Sequence, residues 1–149
     1  MMGGYASSKG NAAQIYVYNN TLFQGGDGEV VLQFNCSGVF VKNNIMYAKS
    51  GNGYVVNSGG NNSNVNVDTN IYFGASTSSA GSYVDGHPRF VNPLLVSPPS
   101  NLHLQSGSPA INAGLDLGLD ANGKPWAGSL DIDGNARVTG AINIGAHEL

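Results

Sequence analysis

Apolar and polar positions alternate over three short stretches that repeat one another. Residues 15–20 read Ile-Tyr-Val-Tyr-Asn-Asn, residues 39–44 read Val-Phe-Val-Lys-Asn-Asn and residues 65–70 read Val-Asn-Val-Asp-Thr-Asn. The closing asparagines Asn20 and Asn44 are 24 residues apart, and Asn44 and Asn70 are 26 apart. Each stretch is followed by a short apolar segment: Thr21-Leu22-Phe23, Ile45-Met46-Tyr47 and Ile71-Tyr72-Phe73. A period of two with β-branched residues in the apolar slots is a strand pattern, not a helical one. Self-similarity at such a spacing signals a stack of repeats. The pattern predicts an all-β right-handed parallel β-helix, a solenoid of about four to five coils with an irregular C-terminal cap.

In that fold equivalent residues stack in columns, one rung roughly 4.8 Å above the next. Ile15, Val39 and Val65 form one expected inward column, and Val17, Val41 and Val67 another. Phe23, Tyr47 and Phe73 form an aromatic ladder, and Asn20, Asn44 and Asn70 an asparagine ladder at a corner, since stacked Asn amides bond one another. Further strands are expected at 29–35 and 54–57, after the glycine turns 25–28 and 51–53, with Val31 level with Val55. Another is expected at 82–85. Past Pro88 the texture changes. Pro88, Pro93, Pro98 and Pro99 cannot donate to a ladder, so an irregular crossing follows. A short strand at 101–104, a turn and rung at 108–114, a loop around Trp126 and a last strand at 142–145 complete the chain. One domain spans 1–149: a lead-in or partial coil at 1–14, regular coils at 15–87, and irregular last coils with the cap at 88–149.

Composition narrows the classes. Charged residues make up 10% of the chain but hydrophobic residues 41%, which is not the signature of disorder. The 22 glycines suit tight turns and argue against long helices. A net charge of −3 supplies no basic footprint for nucleic acid or an anionic membrane. No apolar run is long enough to span a bilayer. The single cysteine, Cys36, excludes an internal disulfide and sits among apolar residues, where packing is its expected role. The opening Met1-Met2-Gly3-Gly4-Tyr5 lacks the basic-then-apolar order of a signal peptide.

The tail carries a more specific pattern. Pro88-Arg89-Phe90-Val91-Asn92-Pro93, Leu102-His103-Leu104, Ser108-Pro109-Ala110-Ile111-Asn112-Ala113-Gly114, Asp131-Ile132-Asp133-Gly134-Asn135-Ala136-Arg137 and Ile144-Gly145-Ala146-His147-Glu148 follow in that order. This resembles the C-terminal end of the secreted bacterial right-handed parallel β-helix proteins of the pectate-lyase-like superfamily, including those with a choice-of-anchor ending. The resemblance covers residues 15–149. It implies a polysaccharide as partner, an extracellular or cell-surface location, and one of three activities: polysaccharide lyase, glycoside hydrolase, or glycan binding and adhesion. Such proteins have a secretion signal and more coils upstream, so the chain reads as a C-terminal part or a small member. A solenoid needs caps at both ends. With no N-terminal cap visible, the first coil is expected to self-associate, giving a homo-oligomer.

The outward residues of the repeat also align. Tyr16, Phe40 and Asn66 form one column, and Tyr18, Lys42 and Asp68 the next. Aromatic rings that stack on sugar faces, beside polar groups that hold hydroxyls, would make a glycan platform. The competing reading is a surface Lys42–Asp68 ion pair, worth little, with the aromatics covered by a loop. Glycoside hydrolysis needs two carboxylates roughly 5–10 Å apart; Asp68 with Glu29 or Asp85 is the expected pair. An elimination would instead use a basic residue, Lys42 or Arg89, as the resemblance implies. The acidic chain favours a neutral glycan and hydrolysis over elimination, with a non-catalytic carbohydrate-binding or adhesion module as the alternative.

Asp116, Asp120, Asp131 and Asp133 cluster in the tail, where oxygen-rich loops can hold Ca²⁺. Asx-turns, with Arg137 pairing Asp133 or Glu148, account for the same residues and are the preferred reading. No cofactor or metal is therefore expected, Ca²⁺ being the one ion these loops would suit. His87, His103 and His147 are scattered and form no zinc spacing.

Overall fold

A computed structural model describes residues 12–137 and 141–149; the expected lead-in at 1–14 lies mostly outside them. Ten strands and no helix are found among the described residues. Eight of them form three parallel sheets. The first contains β1 (Ala13–Tyr18), β4 (Ser37–Lys42) and β7 (Ser63–Asp68). The second contains β2 (Thr21–Phe23), β5 (Ile45–Tyr47) and β8 (Ile71–Phe73). The third pairs β3 (Gly28–Leu32) with β6 (Gly53–Asn57). The chain visits the sheets in rotation, which is consistent with a β-helix-like solenoid whose sheets do not close on themselves.

The expected columns are present. Ile15, Val39 and Val65 pair in register, as do Val17, Val41 and Val67. Val39 and Val41 are fully buried. Phe23, Tyr47 and Phe73 stack edge-to-face with centroids 4.7 and 4.8 Å apart. An interior aromatic group, not expected from the sequence, joins Tyr54 of the third sheet to Tyr72 of the second and Phe90 beyond it, with spacings of 4.8 and 5.2 Å.

The corner between the first two sheets explains the repeated asparagines. Asn19, Asn43 and Thr69 turn the chain at φ of 51°, 55° and 54°. Asn tolerates this left-handed region; β-branched Thr69 does so at a cost. The next residue locks the turn. Asn44 Oδ1 accepts from the Asn20 backbone N–H (3.0 Å) and amide (3.1 Å), and Asn70 Oδ1 does the same for Asn44 (2.9 and 3.0 Å). The amide of Asn44 also donates to the carbonyls of Val17 and Lys42.

One register differs from expectation. Val55 pairs with Val30, not Val31, and Gly28 with Gly53. The turn before β6 is one residue longer than the turn before β3, so the repeat there is 25 residues. Gly28 sits at φ 154°, and a Cβ on it would stand 2.8 Å from Val56 Cγ2, so glycine is required there.

The expected strand at 82–85 is not formed. The fourth winding shrinks to isolated parallel bridges, Gly81 to Val55, Asp85 to Val67 and Arg89 to Ile71. Beyond it the chain does not stack another coil. The 108–114 and 142–145 segments are irregular, not rungs, and bond to each other through Ile144 N–H to Ala110 O and Gly114 N–H to Ile142 O. β9 (Leu95–Ser97), unexpected in a proline-rich stretch, pairs antiparallel with β10 (Asn101–Leu104). The tail lies over the outward side chains of the second sheet. Ile45 and Ile71 bury against Leu95, Leu104, Ala110 and Ile144, while Met46 and Tyr72 face the interior core. Arg137 fastens the tail, donating to the Glu148 carboxylate (2.6 Å) and to the Ala146 carbonyl (3.0 Å). No helix of the described residues is long and apolar enough to cross a membrane.

Candidate functional site

Parallel pairing carries the outer residues of the first sheet into line. Tyr16, Phe40 and Asn66 are in register, and beside them Tyr18, Lys42 and Asp68. Tyr16 and Phe40 stack at 5.3 Å with planes only 11° apart, so the ring faces are spent largely on each other. The loop at 115–130 brings a fourth ring to Tyr16, Tyr18 and Phe40. Trp126 sits 4.5 Å from Tyr16 and meets Tyr18 edge-on at 6.2 Å. The loop covering weighed at the sequence level is thus present, and it is itself aromatic. It leaves the cluster open: Tyr16 is 41% exposed and Trp126 38%. Burial, then the neighbouring Tyr16, pushes the Tyr18 phenol above its ordinary range.

Sequence reasoning missed Trp126 because nothing in the repeat points to a residue some 110 positions downstream of Tyr16. Its only signal was a lone tryptophan in a glycine-rich loop.

The three candidate acids occupy three different settings. Asp68 closes the outer column. Its partner is not Lys42 but His87, with Nδ1 at 2.7 Å, and the Thr69 hydroxyl donates at 3.1 Å. Burial opposes its ionisation, but these bonds and the His87 and Lys42 charges outweigh that and hold the carboxyl below its ordinary range. Asp85 is buried in line with Val67. It accepts from Thr69 N–H, Asn70 N–H, the Asn70 amide, the Tyr72 hydroxyl and His87 N–H, the shortest being 2.6 Å to Tyr72. The winding after Asn70 offers no asparagine, and the Asp85 carboxylate ends the ladder in its place. Burial, with the bond to Asp85, pushes the Tyr72 phenol well up. Glu29 stands on the third sheet, where its carboxylate accepts from Gly25 N–H at 2.9 Å. Burial, opposed by that bond, raises its pKa.

Thr69 touches both Asp68 and Asp85, so those two share a corner. Glu29 belongs to a different sheet. The acid with the raised pKa is therefore not beside the ionised one, whereas a hydrolase sets such a pair across one bond.

The tail aspartates form turns. Asp120 accepts from Asn122 and Lys124 N–H, and Asp116 from Gly118 N–H. Asp131 accepts from Asp133, Asn135 and Glu148 N–H. Arg137 pairs with Glu148.

The histidines are less scattered in space than in sequence. His103 on β10 and His147 near the C-terminus face Asp133, their rings 4.5 Å apart. His103 Nε2 lies 3.0 Å from Asp133 Oδ2, and His147 Nε2 3.5 Å from the same oxygen. The cluster borders a cleft of about 350 Å³ lined also by Thr21, Asn101, Leu102 and Ile132. No local spacing announced it, because its members come from three separate segments.

Comparison with models of known protein families, with curated proteins and with solved structures finds no significant match.

Proposed function

We propose that the chain is a right-handed parallel β-helix related to the C-terminal part of pectate-lyase-like proteins, and that it binds a neutral polysaccharide without cleaving it. One observation carries this reading: Tyr16, Tyr18, Phe40 and Trp126 gather into a single partly exposed aromatic cluster on the outer sheet face. Partly exposed rings, with the polar tips of tyrosine and tryptophan beside apolar bodies, suit the alternating apolar and hydroxyl surfaces of a sugar chain. Asn66 is exposed beside them, and Lys42 and the Asp68–His87 pair lie in the next column, within reach of hydroxyls. Hydrolysis gives way to binding because Glu29 stands apart and the Asp85 carboxylate is filled by five donors.

The test is retention on insoluble cellulose and xylan, with reducing ends assayed in parallel. Retention without product is expected, and Trp126→Ala should weaken it by about 10-fold, a typical loss for an aromatic anchor. Retention unchanged by Trp126→Ala and by Tyr16→Ala would remove the cluster as the site. Product release that Asp68→Asn abolishes would restore the hydrolase.

A further inference from the structure

We infer that His103, Asp133 and His147 form a binding site for a divalent transition-metal cation of the zinc type. Zinc bonds of about 2.0–2.1 Å at tetrahedral angles set ligand atoms roughly 3.3 Å apart. The two Nε2–Oδ2 separations, 3.0 and 3.5 Å, bracket that value, and one ligand atom from each of the three residues lies within 4.8 Å of the others. Two imidazoles and one carboxylate are the nitrogen-rich set that zinc, copper or nickel prefers over calcium. This separates the cluster from the all-oxygen Asx-turns around it.

The backbone of each ligand is already held. Asn101 Oδ1 accepts from His103 N–H at 2.9 Å. Asp131 Oδ1 accepts from Asp133 N–H at 2.9 Å. The Asn143 amide donates to the His147 carbonyl at 3.2 Å. His103 and His147 are half-buried, and the cleft beside them leaves a coordination position open to a small ligand or water. The competing occupant of these lone pairs is a proton. Leu104 N–H donates to His147 Nδ1 at 3.2 Å, which places that ring's proton on Nε2, toward Asp133. A cation at Nε2 moves the proton to Nδ1 and gives up one long hydrogen bond.

Three segments would then be joined at one point: β10, the Asp131 turn and the C-terminus. The site is independent of the aromatic cluster and does not rest on glycan binding.

The experiment is calorimetric titration of the full chain with Zn²⁺, then with Ca²⁺. One equivalent of Zn²⁺ and no comparable Ca²⁺ binding are expected. His103→Ala or His147→Ala should weaken Zn²⁺ binding by more than the roughly 10–100-fold that losing an outer-shell partner costs. His87→Ala, at the Asp68 end of the molecule, should leave it unchanged. In the unsubstituted protein, imidazole ¹⁵N resonances of His103 and His147 should move on Zn²⁺ addition together with the Leu104 amide. This readout stands even where a variant fails to fold. No Zn²⁺ binding, binding that survives both His→Ala changes, or resonance shifts confined to His87 would each overturn the proposal.

Discussion

Residues 13–73 and the described residues from 88 onward are ordered by different bonds. In the windings, eight strands hydrogen-bond laterally to copies of themselves, and one asparagine column runs along the corner between the first two sheets. Among the described residues of the tail only β9 and β10 are strands. Its other backbone groups are met by single turn and bridge bonds, such as Ile144 N–H to Ala110 O, and by side chains: Asp131, Asp120 and Glu148 take N–H groups, and Arg137 donates to carbonyls. The windings gain order by repetition, so the loss of one bond is shared with neighbours. The tail relies on single residues that have no second copy. Both regions meet where Ile45 and Ile71 bury against Leu95, Leu104 and Ile144.

The largest test of that contrast removes Arg137. Its guanidinium is 5% exposed and its partner Glu148 9%. Arg137→Ala leaves a buried carboxylate without its counter-charge, a change that costs about 3–5 kcal/mol. Hydrogen exchange should quicken at Ile144 and Gly145 while Val41 and Val67 keep their protection. Simultaneous loss in both regions would show that tail and windings unfold as one unit, and the contrast would fail.

A smaller effect is expected in the windings. Asn44→Leu fills similar space but strands the Val17 and Lys42 carbonyls and the Asn20 N–H. Buried polar groups without partners cost about 1–3 kcal/mol each, and the strands on either side limit the damage. We expect a loss of about 3 kcal/mol, or roughly 6–12 °C in Tm by calorimetry. The windings should melt as one unit, since Asn44 lies in the middle of the ladder. A loss under about 1 kcal/mol, the low end for one such group, would make the asparagine column dispensable.

The same contrast decides what could be read from the sequence. Columns that recur, such as Val17–Val41–Val67 and Asn20–Asn44–Asn70, were legible because each position is stated three times. The Val30–Val55 register was misjudged by one because the second winding gains one residue in the turn before β6 and another in the turn before β7: the offset is 24 residues from β1 to β4 and from β2 to β5, 25 from β3 to β6, and 26 from β4 to β7 and from β5 to β8. The inner aromatic group was illegible because Tyr54 belongs to the third sheet and Tyr72 to the second, so no repeat relates them; Phe90 stacks on Tyr72 across a shortened winding. In the tail, the Arg137–Glu148 pair was among the alternatives because both residues sit close in sequence. Trp126 over Tyr16, and His103 beside Asp133 and His147, were not. Such contacts are made by folding the tail back, and no local pattern encodes the direction of that fold.

The smallest effect sets one acid of each region against the other by sign. In the tail, burial opposes ionisation of Asp131, but donors from Glu148, Asn135 and Asp133 prevail and bring its pKa down to about 2. In the windings, burial of Glu29 prevails over its one bond to Gly25 and raises its pKa. A depressed carboxyl stabilises the folded chain above its unfolded pKa of about 3.9, and that contribution fades as the pH falls toward 2. A raised carboxyl does the reverse: its contribution is complete below the unfolded value and is lost as the pH rises through the folded one. Asp131→Asn should therefore lower Tm at pH 7, by an amount that shrinks on acidification. Glu29→Gln keeps an oxygen for Gly25 N–H and removes only the charge. It should raise Tm at pH 7 by about 1–2 °C, the size expected of a change within roughly 0.5 kcal/mol, and the gain should vanish near pH 3, where native Glu29 is protonated in both states. Melts of the three proteins across this range check both signs at once. A Glu29→Gln protein less stable than the parent at pH 7 would mean that the bond to Gly25, not burial, governs this carboxylate, and Glu29 would then behave as Asp131 does.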